Sequence, residues 1–220
     1  MLSVKGITHL ALLAMMVFLV QCELIERKPH LSKYQDAWKG LTLPGRFYLY
    51  MRSYEDEPFY GTNMKCVSSE LLSVNEKERY TENMFRAVDP KDGNMINRTT
   101  YAWAYATEGY STPNVIQTSG SLEKQFVVDY GVAFSEYDNC DILRLPHRNN
   151  ACELWLKEGG IHNVKSLCLF VFDLLCGPEK YFVYDEDLCK KSLEAIKQAD
   201  HCTTTKDTQP RTSECQTSTL

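Results

Sequence analysis

Nine cysteines lie along 220 residues with no two in CxxC spacing, and this pattern constrains the chain more than any other feature. A zinc ribbon or a thioredoxin-type redox centre needs such close pairs, so a disulfide framework is the expected use. Disulfides persist in oxidising compartments, and a secretory leader is therefore expected. The N-terminus has that pattern: Lys5 as the positive region, an apolar run at 10–20, and Val20 and Cys22 before a cut near Glu23. The apolar run is shorter than the ~20 residues that span a bilayer, which weighs against an uncleaved anchor. Residues 1–22 thus read as a signal peptide and 23–199 as one folded domain. A Thr/Ser-rich tail at 200–220 is expected to be disordered or O-glycosylated, with the pairing of Cys202 and Cys215 left open.

Loss of the leader removes one positive charge, Lys5, taking the formal net charge from −5 to −6 and leaving eight cysteines. An acidic chain repels phosphate backbones and anionic headgroups, so neither nucleic acid nor a membrane is an expected partner. At 44% hydrophobic residues, the chain has enough apolar surface for one real core, and a monomer is expected.

Residues 31–41 read as a short helix carrying Trp38, stopped by Pro44 and Gly45. From Phe47 the pattern changes to period two, with strands expected at 47–54 and 64–74 around turn residues at 56–61. The segment Tyr-Ala-Trp-Ala-Tyr-Ala at 101–106 sorts three aromatics to one face and three alanines to the other. Further strands are expected at 115–118, 125–134, 141–145 and 152–156, and a last one at 180–184. At 166–175, Leu167, Phe170, Val171, Leu174 and Leu175 fit a buried helical stripe ended by Gly177 and Pro178. This order predicts a closed antiparallel barrel with a helix outside, because closure removes exposed sheet edges. Asn97-Arg98-Thr99 is the N-glycosylation sequon, placing Asn97 on the surface.

Five segments resemble the tick salivary lipocalins of the histamine-binding type, and they occur in family order. They are QDAWKGL at 35–41, RSYEDEPFYGTNMKCV at 52–67, FSEYDNCDILRLP at 134–146, CELW at 152–155 and YFVYDEDLC at 181–189. The resemblance implies an eight-stranded antiparallel lipocalin barrel with a short N-terminal helix and a C-terminal helix packed outside. It also implies disulfides Cys66 with Cys189 and Cys140 with Cys168, and a third, Cys152 with Cys176. In function it implies a secreted, salivary scavenger that binds a biogenic amine such as histamine or serotonin without turnover.

The amine-contacting positions carried over by the resemblance are Tyr54, Glu57, Tyr60, Asp141 and Glu153, with Trp155 beside them. Carboxylates suit the ammonium group and aromatic faces suit its ring and charge. By period two, Glu153 and Trp155 share a face. Alternation from Tyr54 also sends Arg52, Tyr50 and Tyr48 inward, and an arginine pairs with a carboxylate rather than an amine. With Tyr101, Trp103 and Tyr105 as a second aromatic wall, a fatty-acid-derived mediator of the leukotriene type is the alternative guest. A further alternative is an interaction protein that blocks a host immune or complement component through its loops. Enzymatic motifs are missing: there is no GxSxG, no HExxH and no glycine-rich phosphate loop. No cofactor is expected. With the cysteines committed to bridges and the histidines scattered, no metal set is expected either.

Overall fold

The computed structural model describes residues 24–55 and 63–205, with side chains to residue 196. The expected leader, Glu57, Tyr60 and Cys215 lie outside the described residues.

Among the described residues, nine strands run β1 Arg46–Arg52, β2 Lys65–Asn75, β3 Tyr80–Val88, β4 Met95–Tyr105, β5 Val115–Ser119, β6 Val127–Ser135, β7 Cys140–Leu145, β8 Ala151–Lys157 and β9 Tyr181–Phe182. Strands β2 to β8 pair in sequence order, and β1 pairs antiparallel with both β8 and β2. Eight strands are therefore closed on themselves, and the two-residue β9 adds to the end of β1. Helix α1 (Ala37–Leu41) precedes the barrel; α2 (Ser166–Cys176) and α3 (Glu186–Thr205) follow it. This is a closed eight-stranded antiparallel barrel of the lipocalin type.

One irregularity sets the faces of β1. Leu49 stands opposite Trp155 and Met51 opposite Leu154, so Tyr50 is an extra, bulged residue. Leu49 packs inside the barrel with Val67 and Phe85, whereas Tyr48 and Met51 pack outside it with Phe172 of α2. The expectation that Tyr48 and Tyr50 point inward is thus corrected. Simple alternation fails where one residue is inserted, and the rings of both tyrosines meet Tyr184 on the outside.

Strands β1, β7 and β8 are covered on both faces, by the lumen and by α2. That is why Ile142–Leu145 and Cys152–Leu156 are buried nearly continuously rather than alternately. Two disulfides pin α2 there, Cys140–Cys168 from β7 and Cys152–Cys176 from β8. A third, Cys66–Cys189, ties β2 to α3 across 123 residues of chain. Each stabilises typically by ~2–4 kcal/mol through restriction of the unfolded ensemble. Gly177 ends α2 at φ +79°, a value that β-carbon-bearing residues avoid.

The buried face of α2 holds Cys168 and Phe172, while Leu167, Phe170 and Leu174 are exposed. The expected buried stripe is therefore corrected: the disulfides, not the hydrophobic periodicity, fix the rotation of this helix. Helix α3 was not foreseen. Its N-terminus is nonetheless marked in the sequence, since Asp185 Oδ1 accepts the Leu188 N–H at 3.0 Å and Glu186 and Asp187 occupy the first turn.

The N-terminal segment is fastened by polar contacts. The Arg144 Nε–H donates to Glu26 at 2.6 Å with both residues buried, and Gln35 Nε2 donates to the carbonyls of Glu26 and Ala133. Asp36 caps α1 through the Lys39 N–H at 3.0 Å. Leu41, at the end of α1, and Leu43 after it reach the barrel lumen and form one end of its cavity.

Candidate ligand-binding cavity

A cavity of about 410 Å³ runs from Leu41 and Leu43 to Phe126 on the loop between β5 and β6. Its wall is mostly apolar, built from Phe47, Leu71, Phe85, Ile116, Val128, Leu143 and Trp155. Among the described residues, Asp141 and Arg98 are the charged ones in it, with Asn83, Thr118 and Tyr130 among the uncharged polar ones. A concave, largely apolar space with a few polar groups is the usual form of a small-molecule site.

Among the described residues, Asp141 is the acid the cavity presents. It stands at the start of β7, opposite Trp155 on β8 and Ser135 on β6. Its residue area is partly open because the cavity borders it, but Oδ1 is sealed and has no hydrogen-bond partner. Burial pushes its pKa up to about 6, opposed by a hydrogen bond with the Ser135 side chain. A carboxylate held this way gains if a cation arrives beside it.

Glu153 is 0% exposed and shares the inner face of the barrel with Leu143 and Trp155, but its carboxylate is already engaged. Oε1 accepts the Tyr54 hydroxyl at 2.5 Å and Oε2 accepts the Trp155 Nε1–H at 2.9 Å. Trp155 also lines the cavity and packs against both inner clusters of the barrel, so its indole lies between the two acids. The sequence-predicted Tyr54, Glu153, Trp155 and Asp141 therefore gather around one indole.

Arg52 stands opposite Glu153, 5% exposed, and is not part of the cavity wall. Its guanidinium donates to the Glu55 carbonyl and lies 4.9 Å from the Tyr54 ring centre, with Arg148 5.0 Å from the same ring. Arg98 takes the cavity position instead, 4.9 Å from the Phe85 ring centre. Sequence reasoning missed it, although Arg98, Thr100 and Ala102 alternate along β4 and could have been grouped as one face.

The aromatic wall of Tyr101, Trp103 and Tyr105 is corrected by the same strand. Thr100 and Ala102 line the cavity, so these aromatics lie on the outer surface. There Tyr101 and Trp103 meet the Tyr80 ring at 6.0 and 6.1 Å, and Lys124 sits 4.1 Å over Trp103. The Tyr105 hydroxyl donates to Asp129 at 3.0 Å. Small residues point inward on this strand because the lumen has to stay open. Asn97 is exposed within β4, opposite Arg86.

Among the described residues, one grouping has the elements of a metal site: Glu136, Cys140 and Cys168. Its two sulfurs are joined to each other, which leaves a single carboxylate.

The tick histamine binding protein family model matches residues 25–191. Female-specific histamine-binding protein 1 of Rhipicephalus appendiculatus is 28% identical over 147 residues, 64% of this chain and 75% of that protein. The crystal structure of the AM182 serotonin complex superposes with a TM-score of 0.50 at 20% identity, covering 70% of this chain and 91% of that one. Japanin from Rhipicephalus appendiculatus bound to cholesterol also gives 0.50, at 15% identity over 67% of this chain and 97% of that one. The family consists of binding proteins rather than enzymes. With the closed barrel, the three disulfides and a match over three quarters of its length, the chain belongs to the tick histamine-binding protein family of lipocalins.

Proposed function

We propose that the chain is a secreted salivary protein that captures a small aromatic amine of the histamine or serotonin kind and so removes a host inflammatory signal. One observation carries this: Asp141 Oδ1 is buried without a hydrogen-bond partner, and Trp155 stands across from it in the same apolar cavity. An ammonium leaving water needs an anion, and an aromatic face adds roughly 0.5–2 kcal/mol. Scavenging a dilute mediator needs roughly nanomolar affinity, about −12 kcal/mol, and a preformed cavity reduces the ordering cost of reaching it. The relative named for histamine binding and the structural neighbour crystallised with serotonin support this ligand class. Trp155, with Glu57 and Tyr60 of the segment after Tyr54, completes the proposed amine-contacting set, while Tyr54 and Glu153 are proposed to hold the indole in place. Calorimetric titration with histamine and serotonin at pH 7.5 tests the proposal; absence of heat with both at micromolar concentration rejects it.

A second guest class is favoured by Arg98. At about 410 Å³ the cavity is larger than one small amine, and Arg98, exposed where it borders the cavity, offers an anion partner. A fatty-acid-derived mediator would place its carboxylate there rather than on Arg52, whose guanidinium is turned to Glu55 and Tyr54. Displacement of a fluorescent fatty acid distinguishes the two guests.

A further inference from the structure

Helix α2 is apolar on every side: from Leu167 to Cys176, Asp173 is the sole charged residue. Helices of that kind are normally buried all round. This one is not, because Cys168 near its start and Cys176 at its end are bonded to Cys140 and Cys152. A helix pinned at both ends cannot roll. Cys168 and Phe172 are held against the barrel, and Leu167, Phe170 and Leu174, at i, i+3 and i+7, face outward with 46%, 62% and 61% exposure.

The strip continues onto β9. Phe182, 52% exposed, meets the Tyr50 ring at 5.6 Å, and Tyr50 packs in the same outer core as α2. Lys180, two residues earlier, bonds Asp173 of α2 at 2.5 Å. These four residues expose roughly 400 Å² of mostly apolar surface, a size at which a patch on a folded chain is often functional. The tail offers little to cover it, since residues 206–220 contain only Pro210, Cys215 and Leu220 as apolar residues.

We propose that this face is the contact between two copies of the chain, α2 against α2 about a two-fold axis. A two-fold brings the same strip to both sides, so roughly 800 Å² is buried in total by these residues, the scale of a weak, concentration-dependent interface. A ridge at i, i+3, i+7 packs into the grooves of an equivalent helix. Asp173 and Lys180 give the rim one charge of each sign, which makes it self-complementary.

Sedimentation velocity on the purified full chain, from about 1 to about 100 μM, tests this. Twice the single-chain mass at the upper end is expected. Phe170→Glu with Leu174→Glu is expected to raise the dimer dissociation constant at least tenfold while keeping a cooperative thermal transition, and Leu72→Glu, elsewhere on the surface, is expected to leave it unchanged. A single-chain mass at every concentration overturns the proposal. So does a dimer that survives the double substitution, or one held covalently through Cys202 or Cys215 on a non-reducing gel. A single chain that co-sediments with phosphatidylcholine vesicles also overturns it, by identifying a lipid surface as the occupant.

Discussion

Trp155 donates its indole N–H to Glu153 at 2.9 Å while the same side chain lines the cavity opposite Asp141. One aromatic residue thereby joins the two acids of β7 and β8. The acids are in different states: Glu153 has hydrogen-bond donors on both oxygens, whereas Asp141 keeps one oxygen without any. The proposed division of labour is that Asp141 meets a cation and Glu153 fixes the indole beside it.

Replacing Asp141 by Asn separates stability from function. Its pKa is raised from 3.8 to about 6 by burial, so the folded chain holds the proton more tightly than the unfolded chain. The ionised form therefore costs about 3 kcal/mol above pH 6, a penalty that fades as pH falls from 6 to 4. Asp141→Asn is expected to raise stability at pH 7.5 by about 2–3 kcal/mol, some 5–10 °C in Tm, and to weaken amine binding at least tenfold. Thermal melts and calorimetry on the same samples read both effects.

Amine capture is expected to depend on pH through the same group. Serotonin keeps its ammonium charge between pH 5 and 8, so the carboxylate alone changes. Affinity is expected to be flat above pH 7 and to fall about tenfold by pH 5, because only the ionised form pairs with the cation. A flat profile measured by tryptophan fluorescence would place the cation elsewhere.

Glu153→Gln exchanges an acceptor for an NH₂ group where the Tyr54 hydroxyl and the Trp155 N–H both donate. The Tyr54 oxygen can accept from that NH₂, but the Tyr54 O–H proton then loses its carboxylate acceptor in a buried space. A loss of about 1–3 kcal/mol in urea unfolding is expected, with a changed Trp155 emission. Wild-type stability and an unaltered spectrum would show that the triad does not hold the indole.

Arg98→Ala is expected to reduce fatty-acid uptake at least tenfold and to leave amine binding equal or tighter, since it removes a positive charge from the cavity wall. Uptake that persists after this change would remove Arg98 as the anion partner.

Removing the bridge between β2 and α3 by Cys66→Ala with Cys189→Ala opens a loop spanning 123 residues. A stability loss of about 2–5 kcal/mol is expected from guanidinium unfolding. Binding at 20 °C should persist, because neither cysteine lines the cavity.

Closure of the barrel was legible because alternation and turn residues are written into local sequence, as at 101–106. The face each strand turns inward was not, because period two fixes only that neighbours differ. On β4 the conspicuous aromatics drew attention to the wrong side, and on β1 a single bulged residue, Tyr50, reversed the sides of Tyr48 and Leu49. Asp141, Glu153 and Trp155 entered the candidate set through the resemblance carried by the segments at 134–146 and 152–155, not through alternation. Arg98 was not, because it is exposed where it borders the cavity and nothing adjacent to it in the sequence marks that position. The rotation of α2 depends on two bridges to distant strands, which periodicity within the helix cannot register.

A crystal structure of the complex with serotonin measures the central claim directly, as the distance from the ligand's amine nitrogen to the nearer carboxylate oxygen of Asp141. Pairing predicts about 2.7–3.2 Å, with the serotonin ring against Trp155. An amine nitrogen resting on Glu153, or a carboxylate-bearing guest on Arg98 with Asp141 untouched, contradicts it.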